Sequence, residues 1–272
     1  MNTREAKIEA FGHLLDVQER LRKECPWDRK QTFQSLRPNT IEETFELADA
    51  LMNNDMHNVK KELGDVMEHV LFYAILGDES DEFDIADVCN QEARKLMFRH
   101  PFIDWTGWRD DPKADSGDMP HNSEEVEQTW EQIKQKEKDG NKTVLAGVPA
   151  ALPTLIKAYR VQDKARNVGF DWEEREQVWD KVKEEISEFE AEVAHMDKER
   201  AEGELGDVLF SLINAARLYK INPDNALERT TQKFIRRFNY LEAHTLKAGR
   251  QLTDMTLAEM DEIWNEAKAK GL

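Results

Sequence analysis

Apolar residues recur along most of this chain at spacings of three and four, and the positions between them are dense in Glu, Asp, Lys and Arg. That is the period of an amphipathic helix. Only 12 glycines and 8 prolines interrupt 272 residues, so the pattern predicts an all-α chain. Ile41, Phe45 and Leu51 mark one helix, and Leu63, Val66, Val70 and Leu71 mark the next. A turn near NND (53–55) separates them, and these stripes are expected to pack the two helices as an antiparallel hairpin. A similar turn, HMD (195–197), recurs later.

The whole hairpin recurs with it. EETFELADALMNNDMHNVKKELGD (42–65) and EEISEFEAEVAHMDKERAEGELGD (184–207) are both 24 residues long and align without a gap. Glu42, Glu43 and Glu46 fall on Glu184, Glu185 and Glu188, and Asp55 falls on Asp197. Upstream, VQERLR (17–22) parallels VQDKAR (161–166), each followed by a short break, CPWD or GFDW. Downstream, RKLMFRHPF (94–102) parallels QKFIRRFNY (232–240), setting Lys95 on Lys233 and Arg99 on Arg237. TWEQIKQK (129–136) parallels IWNEAKAK (263–270), setting Trp130 on Trp264 and Lys134 on Lys268. The chain therefore reads as two tandem copies of one helical-bundle module, 1–138 and 145–272, joined at 139–144. Gly140, Gly147 and Pro149 interrupt the helical pattern around that join. The polar segment RDDPKADSGDMPHNS (109–123) has no period and predicts a long, mobile loop in the first copy.

Acids at i and i+3 share a helix face. Glu185 with Glu188, and Glu204 with Asp207, are thus expected to face one another across the hairpin. Four carboxylates so placed repel unless a cation sits among them. Oxygen ligands without His or Cys suit a hard cation, Mg²⁺ or Mn²⁺. Glu184 falls outside that four-ligand set and is the candidate either for supporting the ligands from behind or for the base that activates a water. The first copy repeats the array with Glu43, Glu46, Glu62 and Asp65. In each ELGD the glycine, Gly64 or Gly206, is expected to give clearance to a facing helix or ligand. The middle of the array diverges between copies while the acids coincide, which favours a shared use over a solvated face.

A net charge of −18 argues against non-specific binding to nucleic acid or an anionic membrane. It leaves room for a phosphate ligand carried by a metal. Cys25 and Cys89 lack metal-ligand spacing and read as reduced thiols. The charged N-terminus has no signal-like apolar stretch, and no run reaches transmembrane length, so a cytoplasmic setting is expected. Lys233 and Arg237 lie on one helix face and can grip phosphate oxygens or pair with acids. Trp264, four residues before Lys268, is either a core anchor or a platform for a base.

EExxE, then ExxD, then KxxxR in an all-α module resembles the MazG family of nucleoside triphosphate pyrophosphatases. AGVPAALPTLIKA, NVGFDW and WEQIK also resemble its two-domain bacterial members. The resemblance spans nearly the whole chain. It implies Mg²⁺-dependent hydrolysis of nucleoside triphosphates to the monophosphate and pyrophosphate, with broad base tolerance and a house-cleaning role. It implies a homodimer in which helices of two modules build each site. It implies that Glu185, Glu188, Glu204 and Asp207 bind Mg²⁺, while Lys233, Arg237, Trp264 and Lys268 contact the nucleotide. The corresponding first-copy set is Glu43, Glu46, Glu62 and Asp65, with Lys95, Arg99, Trp130 and Lys134. In such proteins the second copy is often the main catalyst. Lys60 and Lys61, beside Glu62, hint at the same asymmetry here, since cations there would weaken metal binding.

Two other readings compete. One is an acidic helical dimer that binds nucleotides or a protein with little or no turnover. The other is a ferritin-like di-iron protein, which needs Glu-x-x-His pairs that these arrays lack.

Overall fold

The computed structural model describes residues 1–109, 122, 126, 133, 143–171 and 175–272. Trp130, Lys134 and the predicted loop at 109–123, apart from Arg109 and Asn122, lie outside the described residues, as does 139–142 of the join. Among the described residues the chain is helical and contains no strand. The helices are α1 (Arg4–Glu24), α2 (Phe33–Met52), α3 (Met56–Asp78), α4 (Ile85–Arg99), α5 (Thr154–Arg166), α6 (Arg175–Ala194), α7 (Lys198–Leu218), α8 (Pro223–Lys247) and α9 (Leu257–Ala269). Two compact units divide them, Met1–Trp130 and Glu131–Leu272.

In each unit an antiparallel hairpin forms the centre: α2 with α3, and α6 with α7. Local chemistry starts and stops these helices. Thr32 and Ser35 cap α2 reciprocally, each hydroxyl accepting from the other residue's backbone N–H, at 3.2 and 2.8 Å. At the hairpin turn Asn54 takes a left-handed φ of 53°. The carboxylate of Asp55 then accepts from the amides of His57 and Asn58, both at 3.1 Å. The second turn repeats this plan. Met196 stands at φ 57°, and Asp197 accepts from the amide of Arg200 at 3.1 Å. The aligned acids Asp55 and Asp197 are therefore helix caps. Asn tolerates the left-handed region, whereas Met has no polar group to favour it.

The hairpins pack, but of the stripes that periodicity suggested Leu71 is buried and Val66 half-buried while most of the rest face outward. Ile41, Phe45, Leu51, Leu63 and Val70 remain exposed. The buried positions are Leu36, Leu71, Phe72, Ala74 and Leu76, with Leu36, Phe72 and Leu76 packed as a cluster. In the second unit Val178, Val182 and Ala215 form the corresponding core. The reason is a third element. α1 packs on α3, and α5 packs on α7, so the face turned toward that added helix is the one buried. The outward stripe is kept in both copies: Leu63, Met67 and Val70 match Leu205, Leu209 and Leu212, all between 39% and 52% exposed.

Arginine forks brace the hairpin ends. Arg22, at the end of α1, grips both carboxylate oxygens of Glu79 at 2.7 Å and donates to the Gln31 carbonyl at 3.1 Å. The guanidinium holds the Glu79 carboxyl below the usual carboxylate range. In the second unit the fork comes from α7, where Arg217 grips both oxygens of Asp171. α8 and α9 pack on one another and bury Leu241, Thr245 and Ala267.

Candidate functional site

Each hairpin gathers three glutamates. One carboxylate oxygen from each of Glu43, Glu46 and Glu62 lies within 4.8 Å of the other two, and the same holds for Glu185, Glu188 and Glu204. The EExxE helix supplies two of them and the facing ExxD helix supplies the third. Asp65 and Asp207 stand outside these triads. An aspartate reaches one methylene less far, and Asp65 turns toward Lys61 at 3.5 Å. Glu184 is exposed at the edge of its triad, 3.1 Å from Lys181.

The electrostatics are those of crowded anions. Desolvation first, then Glu46, Asp65 and Glu62, push the Glu43 carboxyl up. Desolvation, then Glu185 and Glu204, do the same to Glu188. Glu62 is 5% exposed, and its Oε2 is buried with no hydrogen-bond partner among the described residues. A buried oxygen left unpaired beside two more carboxylates fits a hard divalent cation. The triad residues would hold it, with no His or Cys in the donor set.

A lysine enters each triad, from opposite helices. In the first unit Lys61 on α3 lies 3.0 Å from Glu62. In the second, Lys181 on α6 lies 2.7 Å from Glu185. The hydrogen bond to Glu62 raises the Lys61 pKa, and the bonds to Glu185 and Glu184 raise that of Lys181. Where the second copy has Lys181 the first has Asn39, and where the first has Lys61 the second has Gly203. Lys61 therefore does not set the first copy apart. Sequence reasoning missed Lys181, although its place one turn before Glu185 was visible.

Both triads have open space beside them, and the copies differ in where it lies: in the first unit a cavity of about 510 Å³, lined in part by Glu46, Glu62, Asn53 and Asp55, opens on the side of the hairpin turn. In the second unit a cavity of about 590 Å³ adjoins the triad, walled in part by Lys181, Glu185, Asp207, Val178, Phe210 and Asn214. Aligned along the hairpin, Val178, Ser211 and Asn214 replace Leu36, His69 and Phe72. In the first unit Leu36 and Phe72 are each 1% exposed and fill that interior. The Thr40 hydroxyl closes over it, hydrogen-bonded to His69 Nδ1 at 3.0 Å and to the Tyr73 hydroxyl at 2.6 Å.

The basic and aromatic residues sit elsewhere in their units. Arg237 on α8 lies 5.8 Å from the Trp264 ring centre and donates to the Leu272 carbonyl at 2.7 Å. Phe234 packs against Trp264 at 5.1 Å between ring centres. Lys233 and Lys268 are exposed. Lys95 on α4 pairs with Glu92, and Arg99 lies in the last turn of α4. Among the described residues, no ion pair joins Lys95, Lys233, Arg237 or Lys268 to the triads. A Cβ on Gly64 or Gly206 would meet no atom within 4 Å among the described residues, so no facing helix among them needs the clearance, which leaves a ligand as its use. Cys25 and Cys89 are both free, and among the described residues no helix is long and apolar enough to cross a membrane.

A tandem all-α protein that gathers three glutamates in each of two hairpins falls in the class of helical carboxylate proteins suited to a hard divalent cation. More particularly, the chain belongs to the MazG nucleotide pyrophosphohydrolase domain family, whose profile matches residues 31–103 and 173–241, one segment over each hairpin. It is 38% identical to a nucleoside triphosphate pyrophosphohydrolase of Escherichia coli (strain K12) over 265 residues, covering 95% of this chain and 97% of that protein. It is 37% identical to the nucleoside triphosphate pyrophosphohydrolase/pyrophosphatase MazG of Thermotoga maritima over 261 residues, 95% of each. The protein YabN of Bacillus subtilis is 43% identical over 246 residues, which span 90% of this chain and 48% of that longer protein.

Proposed function

We propose that this chain hydrolyses nucleoside triphosphates to the nucleoside monophosphate and pyrophosphate, and that the second module carries most of the turnover. The observation behind the choice of module is the cavity of about 590 Å³ that shares Glu185 and Lys181 with the α6–α7 triad. The names of the relatives supply the reaction. In this reading Glu185, Glu188 and Glu204, joined by Asp207, hold Mg²⁺, for which Mn²⁺ substitutes. When bound, the cation gathers phosphate oxygens and makes a coordinated water more acidic. Glu184, exposed beside the triad, orients the attacking water and accepts its proton. Lys181 releases the carboxylates it now bridges and turns to the phosphate chain. The first module, with Glu43, Glu46, Glu62 and Asp65, holds metal, but Leu36 and Phe72 fill the place that corresponds to the second module's cavity.

A second copy of the chain completes the site. The apolar stripes at Leu63, Met67 and Val70, and at Leu205, Leu209 and Leu212, are exposed in the single chain and suit a homodimer. Lys233, Arg237, Trp264 and Lys268 then reach the nucleotide of a neighbouring copy; Lys95, Arg99, Trp130 and Lys134 are the corresponding set in the first module. Broad base tolerance, a cytoplasmic house-cleaning role and the absence of a nucleic-acid partner belong to the same reading. The net charge of −18 favours the last.

The test is pyrophosphate release from a panel of triphosphates with Mg²⁺. Glu185→Ala/Glu188→Ala is expected to remove most of the release, and Glu43→Ala/Glu46→Ala much less. Unchanged release with all four replaced would overturn the reading.

A further inference from the structure

The cavity beside the second triad carries an amide whose direction is set by its neighbours. Asn214 accepts at Oδ1 from Arg217 Nε at 3.1 Å and from Arg217 Nη2 at 2.8 Å. Arginine has only donors, so the amide oxygen must face it and the NH₂ must face away. Arg217 is itself fixed. Its side chain is 4% exposed, and Asp171 takes both of its terminal nitrogens. Asp171, Arg217 and Asn214 all line the cavity. The Asn214 amide nitrogen donates to no group among the described residues, and the residue keeps partial access to solvent.

A second amide in the same lining is incomplete. Gln162 is 7% exposed, and its Nε2 donates to the Phe210 carbonyl at 2.8 Å. A carbonyl accepts only, so the nitrogen must face it. That leaves Oε1 buried with no partner among the described residues. A buried acceptor left unpaired is unfavourable, a deficit that an entering donor removes. The lining thus offers a positioned donor and an unpaired acceptor in a largely apolar cavity whose volume suits a small molecule.

We propose that the nucleobase enters this cavity and that Asn214, aimed by Arg217 and Asp171, hydrogen-bonds an acceptor on the base edge, with Gln162 serving the neighbouring donor. This rests on the reading of the second module as the triphosphate site. Every standard base offers an acceptor beside a donor on its pairing edge. The amide pair therefore detects that a base is present and leaves its identity open. Phe210 in the same lining gives an apolar surface to the ring.

The experiment compares ATP with ribose 5-triphosphate, which lacks a base, in the full chain and in Asn214→Leu and Asn214→Asp. Leu keeps the size of the side chain and removes the donor. Asp keeps the partnership with Arg217 and replaces the donor by an acceptor. Both variants are expected to raise KM for ATP tenfold or more with kcat within a few-fold, and to leave ribose 5-triphosphate unchanged. An unchanged KM for ATP would overturn the proposal. So would an equal loss on ribose 5-triphosphate, which is what a merely structural role predicts. Should no triphosphate be turned over, the functional reading fails by itself. Calorimetric affinities for AMP and ribose 5-phosphate then test Asn214 directly, and an equal change in both would overturn it.

Discussion

Phe72 and Asn214 occupy the same position in the two hairpins, and the first fills an interior that the second leaves open. Phe72 is packed with Leu36 and Leu76. Asn214, opposite Val178, lines a cavity that reaches Glu185. The two carboxylate triads are alike, so the difference between the modules lies in what stands next to the acids.

Rebuilding the first module's plug in the second should close the site without touching a carboxylate. Val178→Leu/Asn214→Phe is expected to lower kcat/KM for nucleoside triphosphates at least tenfold, with helical content by circular dichroism unchanged. Full activity in that variant would show that the cavity is not where substrate binds.

The triads should be stabilised by protons and by divalent cations alike. The Glu188 carboxyl is raised by desolvation and by Glu185 and Glu204. Between the ordinary glutamate value of about 4.3 and the raised one, the folded chain binds more protons than the unfolded chain. Without a divalent cation, stability is therefore favoured below that window and falls as pH rises through it. Mg²⁺ supplies the missing positive charge. In EDTA near neutral pH, Glu188→Gln should melt above the parent, and adding Mg²⁺ should raise the parent's Tm more than the variant's. Equal Mg²⁺ shifts in both would count against a cation at Glu188.

Two glycines should behave oppositely when replaced by alanine. A Cβ on Gly77 would lie 2.6 Å from the Phe83 carbonyl oxygen and 2.8 Å from its ring, so Gly77→Ala should destabilise the first unit by about 1–3 kcal/mol. Gly206 has nothing within 4 Å, so Gly206→Ala should stabilise α7 by about 0.5–1 kcal/mol. Urea unfolding measures both. A Gly206→Ala chain that is more stable yet less active would assign the open space to substrate or to a second copy.

The charged cap at the start of α9 should lose its stabilising effect in acid. Glu259 accepts from the Thr256 amide at 2.8 Å and from Arg250 at 3.0 Å, which bring its pKa down to about 2. A depressed carboxyl gives its full stabilisation above the unfolded value, about 4.3, and loses it as pH falls toward 2. The Tm difference between the parent and Glu259→Gln should hold steady above pH 5 and shrink below pH 4, by thermal melts across that range. A difference that stays constant to pH 2 would rule out the charged cap as its source.

The sequence by itself determined the helices, the duplicated hairpin and the acids in it. Each is a local or periodic matter. A 3.6-residue period makes a helix, Thr32, Asp55 and Asp197 cap helix starts, and spacings of three put Glu43 with Glu46 and Glu185 with Glu188 on one face. It did not determine which apolar stripe lies inward, because helix period alone leaves that choice open. α1 and α5 make it by covering one face, so Leu63 and Leu205 stay out while Phe72 and Ala215 go in. Nor did it show which carboxylate oxygens converge, since the reach of Glu43 and Glu46 toward Glu62 acts only across the folded hairpin. The cavity was hardest to read. Leu36 to Val178 and Phe72 to Asn214 are ordinary differences between repeats until both helices are set side by side, where the missing side-chain volume adds up in one place next to Glu185.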